Sequence, residues 1–209
     1  MTVPVIAELA WAITRAGHPT LRFDYSGVGG SQGRMRHQPG AGRIGDIAGE
    51  VEDLGAAIEQ LLASTRGNSV CAVGYSFGAA VVVSAAKDAS VDRLVLIAPP
   101  TALWDFSGLR QLEKPVFVAC AEHDPFCDRT RLRGMLGRGA TMAVVPETDQ
   151  TFLRSLPELG KSVVAWLRTG PKLPNLTPGP DEPPPARGDY REIELPDTGE
   201  PIPELDLDE

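Results

Sequence analysis

Five residues, Gly74-Tyr75-Ser76-Phe77-Gly78, limit the fold of this chain more than any other stretch. A G-x-S-x-G run marks a strand-to-helix corner so sharp that small residues must flank the serine. The bare pattern is weak in a chain with 22 glycines, so its flanks decide. Val70-Cys71-Ala72-Val73 before it reads as a strand, and the small apolar run Ala79 to Ala86 after it reads as a buried helix. The corner therefore implies a sheet with helices against it and Ser76 at the carboxyl edge, where such sheets gather ligands.

The rest of the chain repeats that alternation. Ile44, Ile47, Val51, Leu54, Ile58 and Leu61 step by three and four, as do Phe152, Leu156, Leu159, Val163 and Trp166, and more briefly Ile6, Leu9 and Ile13. Each set predicts a helix held by one apolar stripe. Between them, Thr20 to Tyr25, Val70 to Tyr75, Arg93 to Ala98, Pro115 to Ala121 and Thr141 to Val145 are short apolar runs that predict strands buried on both faces. The fold class that follows is α/β, a three-layer α/β/α sandwich around a mostly parallel sheet, formed by residues 1–169 as one domain.

Residues 170–209 differ in kind. They hold 10 of the 19 prolines, 11 of the 28 acidic residues and 3 of the 20 basic ones. An acidic, proline-rich stretch with so little apolar content is expected to be a disordered tail, and its Arg187-Gly188-Asp189 is read as a chance tripeptide. The formal charge of −8 thus belongs to the tail, while residues 1–169 carry 17 charges of each sign. A neutral body lacks the basic surface that tracks phosphates, so nucleic acid is not expected as a partner. No apolar run approaches the ~18 residues of a membrane span, and Met1 to Gly17 carries Glu8 without a basic start, unlike a signal peptide. Cys71, Cys120 and Cys127 show no framework spacing and are read as reduced, cytoplasmic thiols.

A serine hydroxyl becomes a nucleophile only with a base, an acid that orients the base, and N–H donors for the developing oxyanion. Ala121-Glu122-His123-Asp124-Pro125 follows a strand two crossovers after Ser76, so Asp124 is the candidate acid; its other reading is a cap on the next turn. The base should follow the last strand, yet no histidine lies beyond His123. His18 sits in a helix-ending turn, His37 in a polar loop, and His123 beside Asp124, where neighbouring side chains diverge. Phe106, Trp104 and Phe126 are read as core, with a pocket lining as the other reading. Gly27-x-Gly29 followed by Gln32 lacks the third glycine of a dinucleotide loop and the helix that should begin there, so no cofactor is expected, nor any metal.

Three segments together carry a resemblance over Met1 to about Arg168: Leu21-Arg22-Phe23-Asp24-Tyr25-Ser26-Gly27-Val28-Gly29-Gly30-Ser31-Gln32-Gly33, the corner Gly74 to Gly78, and Glu122-His123-Asp124. The chain resembles small bacterial α/β-hydrolase-fold proteins of the dienelactone-hydrolase-like and acyl-peptidase-like kind. The resemblance implies Ser76 as nucleophile, Asp124 as acid and the backbone N–H of Phe77 as an oxyanion donor. It also implies two departures. Where family members carry an Asp-His-Phe-like segment, this chain has Thr148-Asp149-Gln150-Thr151-Phe152, so Gln150 stands in the place of the base. Members also begin with several strands and a Gly-Gly loop that this sequence does not show. That predicts unpaired strand edges between Thr20–Tyr25 and Val70–Tyr75, and Met1 as an internal methionine of a longer chain.

The expected function is that of a serine hydrolase acting through Ser76 on an ester, thioester or amide of a small acyl substrate. The alternative is a non-catalytic binding or scaffold protein, with a partner for the tail left unknown.

Overall fold

The computed structural model describes residues 3–34, 47–169 and 191–194. Helices α1 (Pro4–Arg15) and α2 (Ala48–Thr65) precede strand β1 (Val70–Tyr75) and helix α3 (Phe77–Ala85). Strand β2 (Val91–Ile97), a 3₁₀ turn (Ser107–Gln111), β3 (Val116–Ala121), α4 (Arg129–Arg133), β4 (Ala140–Val145), α5 (Leu156–Thr169) and β5 (Arg191–Glu194) follow. The strands lie in the order β1-β2-β3-β4-β5, and every neighbouring pair is parallel.

The three layers follow from the apolar spacing. On one face of the sheet, Leu54 and Ile58 of α2 and Ala79 to Val82 of α3 pack with Leu94, Leu96, Val118 and Met142. On the other, Val5, Leu9 and Ile13 of α1 and Leu159, Val163 and Trp166 of α5 pack with Val95, Ile97, Phe117 and Ala143. Strands β3 and β4 are buried at every position, as continuous apolar runs covered on both faces must be. β1 is not: its burial alternates, with Val70, Ala72 and Gly74 inside and Cys71, Val73 and Tyr75 only half-buried. It lies at the edge of the sheet, and its second face is covered only in part.

Two expectations meet a different outcome. Thr20 to Tyr25 is not a strand; it runs over the surface in no regular conformation, with Phe23 and Tyr25 stacked edge-to-face at 5.2 Å. A strand exists only by pairing, and the segment has no strand beside it among the described residues, so its β-propensity has nothing to act on. The stretch expected to be a structureless tail is described only at Arg191–Glu194, which pairs with Thr141–Val144. The open edge of β4 offers backbone N–H and C=O groups that any extended segment can satisfy, whatever its side chains. The remainder of 170–209, including the Arg187-Gly188-Asp189 tripeptide, lies outside the described residues.

Candidate active site

The carboxyl end of β1 runs straight into α3 through one residue. Ser76 has φ 50° and ψ −119°, a conformation that non-glycine residues rarely adopt. The neighbouring glycine explains how the corner closes. A Cβ on Gly74 would lie 2.3 Å from the carbonyl oxygen of Gly78, so only hydrogen fits there. Gly78 faces looser surroundings, with the Tyr25 hydroxyl 3.7 Å from a Cβ placed on it. The turn is further tied to the sheet by the Ser76 N–H, which donates to the Ile97 carbonyl at 2.9 Å. Backbone strain of this kind persists only where the surroundings over-determine it, and here the half-buried strand β1 and the buried helix α3 do so.

The serine side chain meets residue 150. Gln150 Nε2 donates to Ser76 Oγ at 2.8 Å, and the Gln150 backbone carbonyl accepts from the Tyr75 hydroxyl at 3.1 Å. The loop after β4 is thus fastened to the turn after β1 at the serine itself and at the residue before it. Burial first, then the charges of Asp124 and Asp149, raise the Tyr75 phenol above its ordinary value, which keeps its proton available for that bond. The loop after β4 carries two further non-glycine residues at positive φ, Glu147 at 49° and Phe152 at 53°. Phe152 is fully buried and anchors the loop in the core, just before α5.

Asp124 leaves β3 on the same edge of the sheet. It is buried, its Oδ1 accepts the Phe126 N–H at 2.8 Å, and its Oδ2 has no hydrogen-bond partner. Burial is the main reason its carboxyl titrates above the usual range; the Phe126 and Cys127 N–H groups pull the other way, and the Asp149 charge adds to the rise. The capping reading of Asp124 is met through Phe126, but a turn cap does not need its second oxygen buried and empty.

Neither His18 nor His123 bonds to Ser76 Oγ or to Asp124 Oδ2. His123 Nε2 lies 3.9 Å from Glu147 Oε2 and 4.0 Å from Glu122 Oε2, with 58% of its side chain exposed, so it faces solvent rather than the serine. His18 is exposed beyond the end of α1, and His37 lies outside the described residues. Glu122, His123 and Glu147 form the one group of potential metal ligands among the described residues, within 4.8 Å of one another and all exposed. Phe77 begins α3, where N–H groups point outward along the helix axis, and its ring lies 5.0 Å from Trp104 and 6.0 Å from Tyr25. Of the three candidate pocket aromatics, Phe106 is fully buried core, Trp104 is half-buried against Phe77, and Phe126 is exposed. Tyr75 was not legible as part of the site, because its contact with Gln150 spans 75 residues and has no local signal.

A strand turning into a helix at a positive-φ serine, with a buried carboxylate two strands on, is the frame of an α/β-hydrolase fold. The family model of the serine aminopeptidases, S33, matches residues 2–114, more than half of the chain. The chain belongs to that family. The matched residues include Ser76, whereas Asp124 and Gln150 lie beyond them.

Solved structures extend the likeness across the sheet. An α/β serine hydrolase without a lid from Xanthomonas campestris is 29% identical with a TM-score of 0.68, over 81% of this chain and 74% of that one. An α/β serine hydrolase homologue from Coxiella burnetii is 27% identical with a TM-score of 0.67, over 80% of this chain and 77% of that one. An uncharacterized protein of Rickettsia prowazekii (strain Madrid E) is 28% identical over 166 residues, which are 73% of this chain and 66%, just under two thirds, of that protein. Within the described residues of this S33 family member, no helix is long and apolar enough to cross a membrane.

Proposed function

We propose that this chain is an arrested serine hydrolase: it holds a small acyl compound at Ser76 and turns it over far more slowly than an intact Ser–His–Asp arrangement would. One observation carries the reading, the 2.8 Å bond from Gln150 to Ser76 Oγ. An amide can donate to a hydroxyl or, turned over, accept from it, but in neither orientation can it take the proton that must leave when the oxygen attacks. Loss of the base typically lowers the rate by about 10⁴-fold or more, leaving positioning and oxyanion stabilisation. In this reading Asp124 is the acid whose partner is gone, which accounts for its empty Oδ2. The Phe77 N–H is the donor for an acyl oxygen.

A second reading, a working hydrolase whose base comes from elsewhere, is favoured by the strained turn at Ser76, since strain tends to be kept where it is used. Three free thiols fit a reducing cytoplasm for either reading. A partner protein for the acidic residues after Gly170 belongs to the same proposal.

Labelling with a fluorophosphonate separates the two. The arrested reading expects slow labelling of the wild type and a rise of roughly 100-fold or more in Gln150→His, abolished by adding Ser76→Ala. Wild-type labelling as fast as that of Gln150→His overturns it in favour of the working enzyme.

A further inference from the structure

Two of the three thiols of this chain meet. Cys120, in β3, is 0% exposed, Cys127, in the loop that leads to α4, is 8% exposed, and their Sγ atoms lie 3.3 Å apart. Residues seven apart in sequence face each other because the chain turns back between them, through Glu122-His123-Asp124-Pro125-Phe126. Both sulfurs are carried by fixed backbone. The Phe126 carbonyl accepts from the Ala102 N–H at 3.0 Å and the Asp128 N–H donates to Thr101 Oγ1 at 2.8 Å, so the loop after β2 holds Cys127 on both sides. Cys120 is held by its strand, which pairs with β4 at that position.

A single buried cysteine packs as a small apolar residue and needs no other role. Two in contact can do more, because a disulfide requires only that the sulfurs close to about 2.0 Å. The pair is unequal in access. Contact with Cys127, and then burial, hold the Cys120 thiol protonated well above its ordinary value, and only Cys127 keeps any exposure, so oxidation has to begin at Cys127.

We infer that Cys120 and Cys127 are a peroxide-sensitive dithiol, whose disulfide closes a covalent ring around the turn that carries Asp124. One peroxide oxygen goes to Cys127 Sγ as the O–O bond breaks and a water leaves, giving the sulfenic acid. Cys120 Sγ then bonds to Cys127 Sγ, the S–O bond breaks, and the Cys120 proton leaves with the hydroxyl as a second water. The sulfurs are oxidised and the peroxide is reduced; a thiol reductant reverses the change, as for the transient disulfides of reducing compartments. The ring restricts the Asp124 turn, which is otherwise held by hydrogen bonds such as that from the Phe126 N–H at 2.8 Å. The third thiol, Cys71, is pushed up to about 12 by burial and stays reduced. None of this depends on how Ser76 and Gln150 are read.

The test treats the full chain with hydrogen peroxide, alkylates the remaining thiols, and reads the tryptic peptide 111–129, which holds both cysteines because trypsin does not cut before Pro115. We expect that peptide to lose two hydrogens and take up no alkyl group, with Cys71 still free, and dithiothreitol to restore it. Amide exchange at Phe126 should slow by at least about tenfold in the oxidised chain. In Cys120→Ala the reaction stops one step earlier and dimedone traps a sulfenic acid on Cys127, whereas Cys127→Ala gives neither product. Three outcomes in the wild type overturn the inference: both thiols still open to alkylation after peroxide, sulfinic acid on Cys127 with Cys120 reduced, or a disulfide that joins separate chains. Unchanged exchange at Phe126 in the oxidised chain overturns it as well.

Discussion

The two turns that meet at Ser76 obey different rules. At Gly74 to Gly78, the backbone dictates the residues: a side chain at position 74 would occupy the space of the Gly78 carbonyl, and Ser76 must hold a positive φ. At Thr148 to Phe152, the buried Thr148 and Phe152 anchor the ends, Asp149 holds the turn through Thr151, and position 150 is left to be judged by what its side chain does to Ser76. In the reading proposed above, packing holds the corner at Ser76 whatever residue stands at position 150.

The contrast is broken most directly by Gly74→Ala. We expect it to destabilise the fold by more than about 3 kcal/mol or to prevent folding, because the clash is with backbone that cannot turn away. Gly78→Ala, in the same motif, should shift stability by less than about 1 kcal/mol in a denaturant titration, since its Cβ has room and alanine favours the helix. Equal losses for the two glycines would contradict the idea that the corner is set by one close approach.

Asp124→Asn sharpens the comparison from the acid side. A carboxyl whose folded value is raised binds its proton more tightly in the folded state, so its contribution to stability is present at low pH and is lost as pH rises through that raised value. Asparagine still accepts from the Phe126 N–H but carries no charge. The variant should match the wild type near pH 3 and exceed it by up to about 1 kcal/mol at pH 7, in denaturant midpoints measured across that range. The opposite trend would mean that Asp124 has a compensating partner.

The smallest effect is expected of Gln150→Ala. It removes one hydrogen bond to Ser76 and should lower stability by about 1 kcal/mol or less, with fluorophosphonate labelling unchanged within a few-fold. A loss comparable to that of Gly74→Ala would show that the second turn is a packing device after all.

Much of the architecture was legible because it rests on periodicity. The stripes expected from Ile6, Ile44 and Phe152 correspond to the helices α1, α2 and α5, except that Phe152 lies in the turn before α5 and Ile44 is outside the described residues, and four of the five apolar runs are strands. Within α1 the buried positions are Val5, Leu9 and Ile13, so the stripe was right but its first member was off by one residue. Thr20 to Tyr25 failed because its composition matches a strand while pairing, which composition does not encode, is missing. β5 went the other way: Arg191–Glu194 sits in a proline-rich context and still pairs, since the edge of β4 recruits backbone rather than side chains.

The sequence by itself determined the corner at Ser76, a carboxylate, Asp124, at the end of a later strand, and the lack of a histidine beyond His123, because these rest on residue types and chain order. Only the tertiary structure decided what Gln150 does, that Tyr75 clamps its carbonyl, and that Asp124 and Glu50 each keep an oxygen without a donor. The physical reason is distance along the chain. A local pattern records which conformations a segment can adopt, whereas satisfaction of a buried polar atom depends on groups brought from 74 or 75 residues away, and no window of sequence contains both partners.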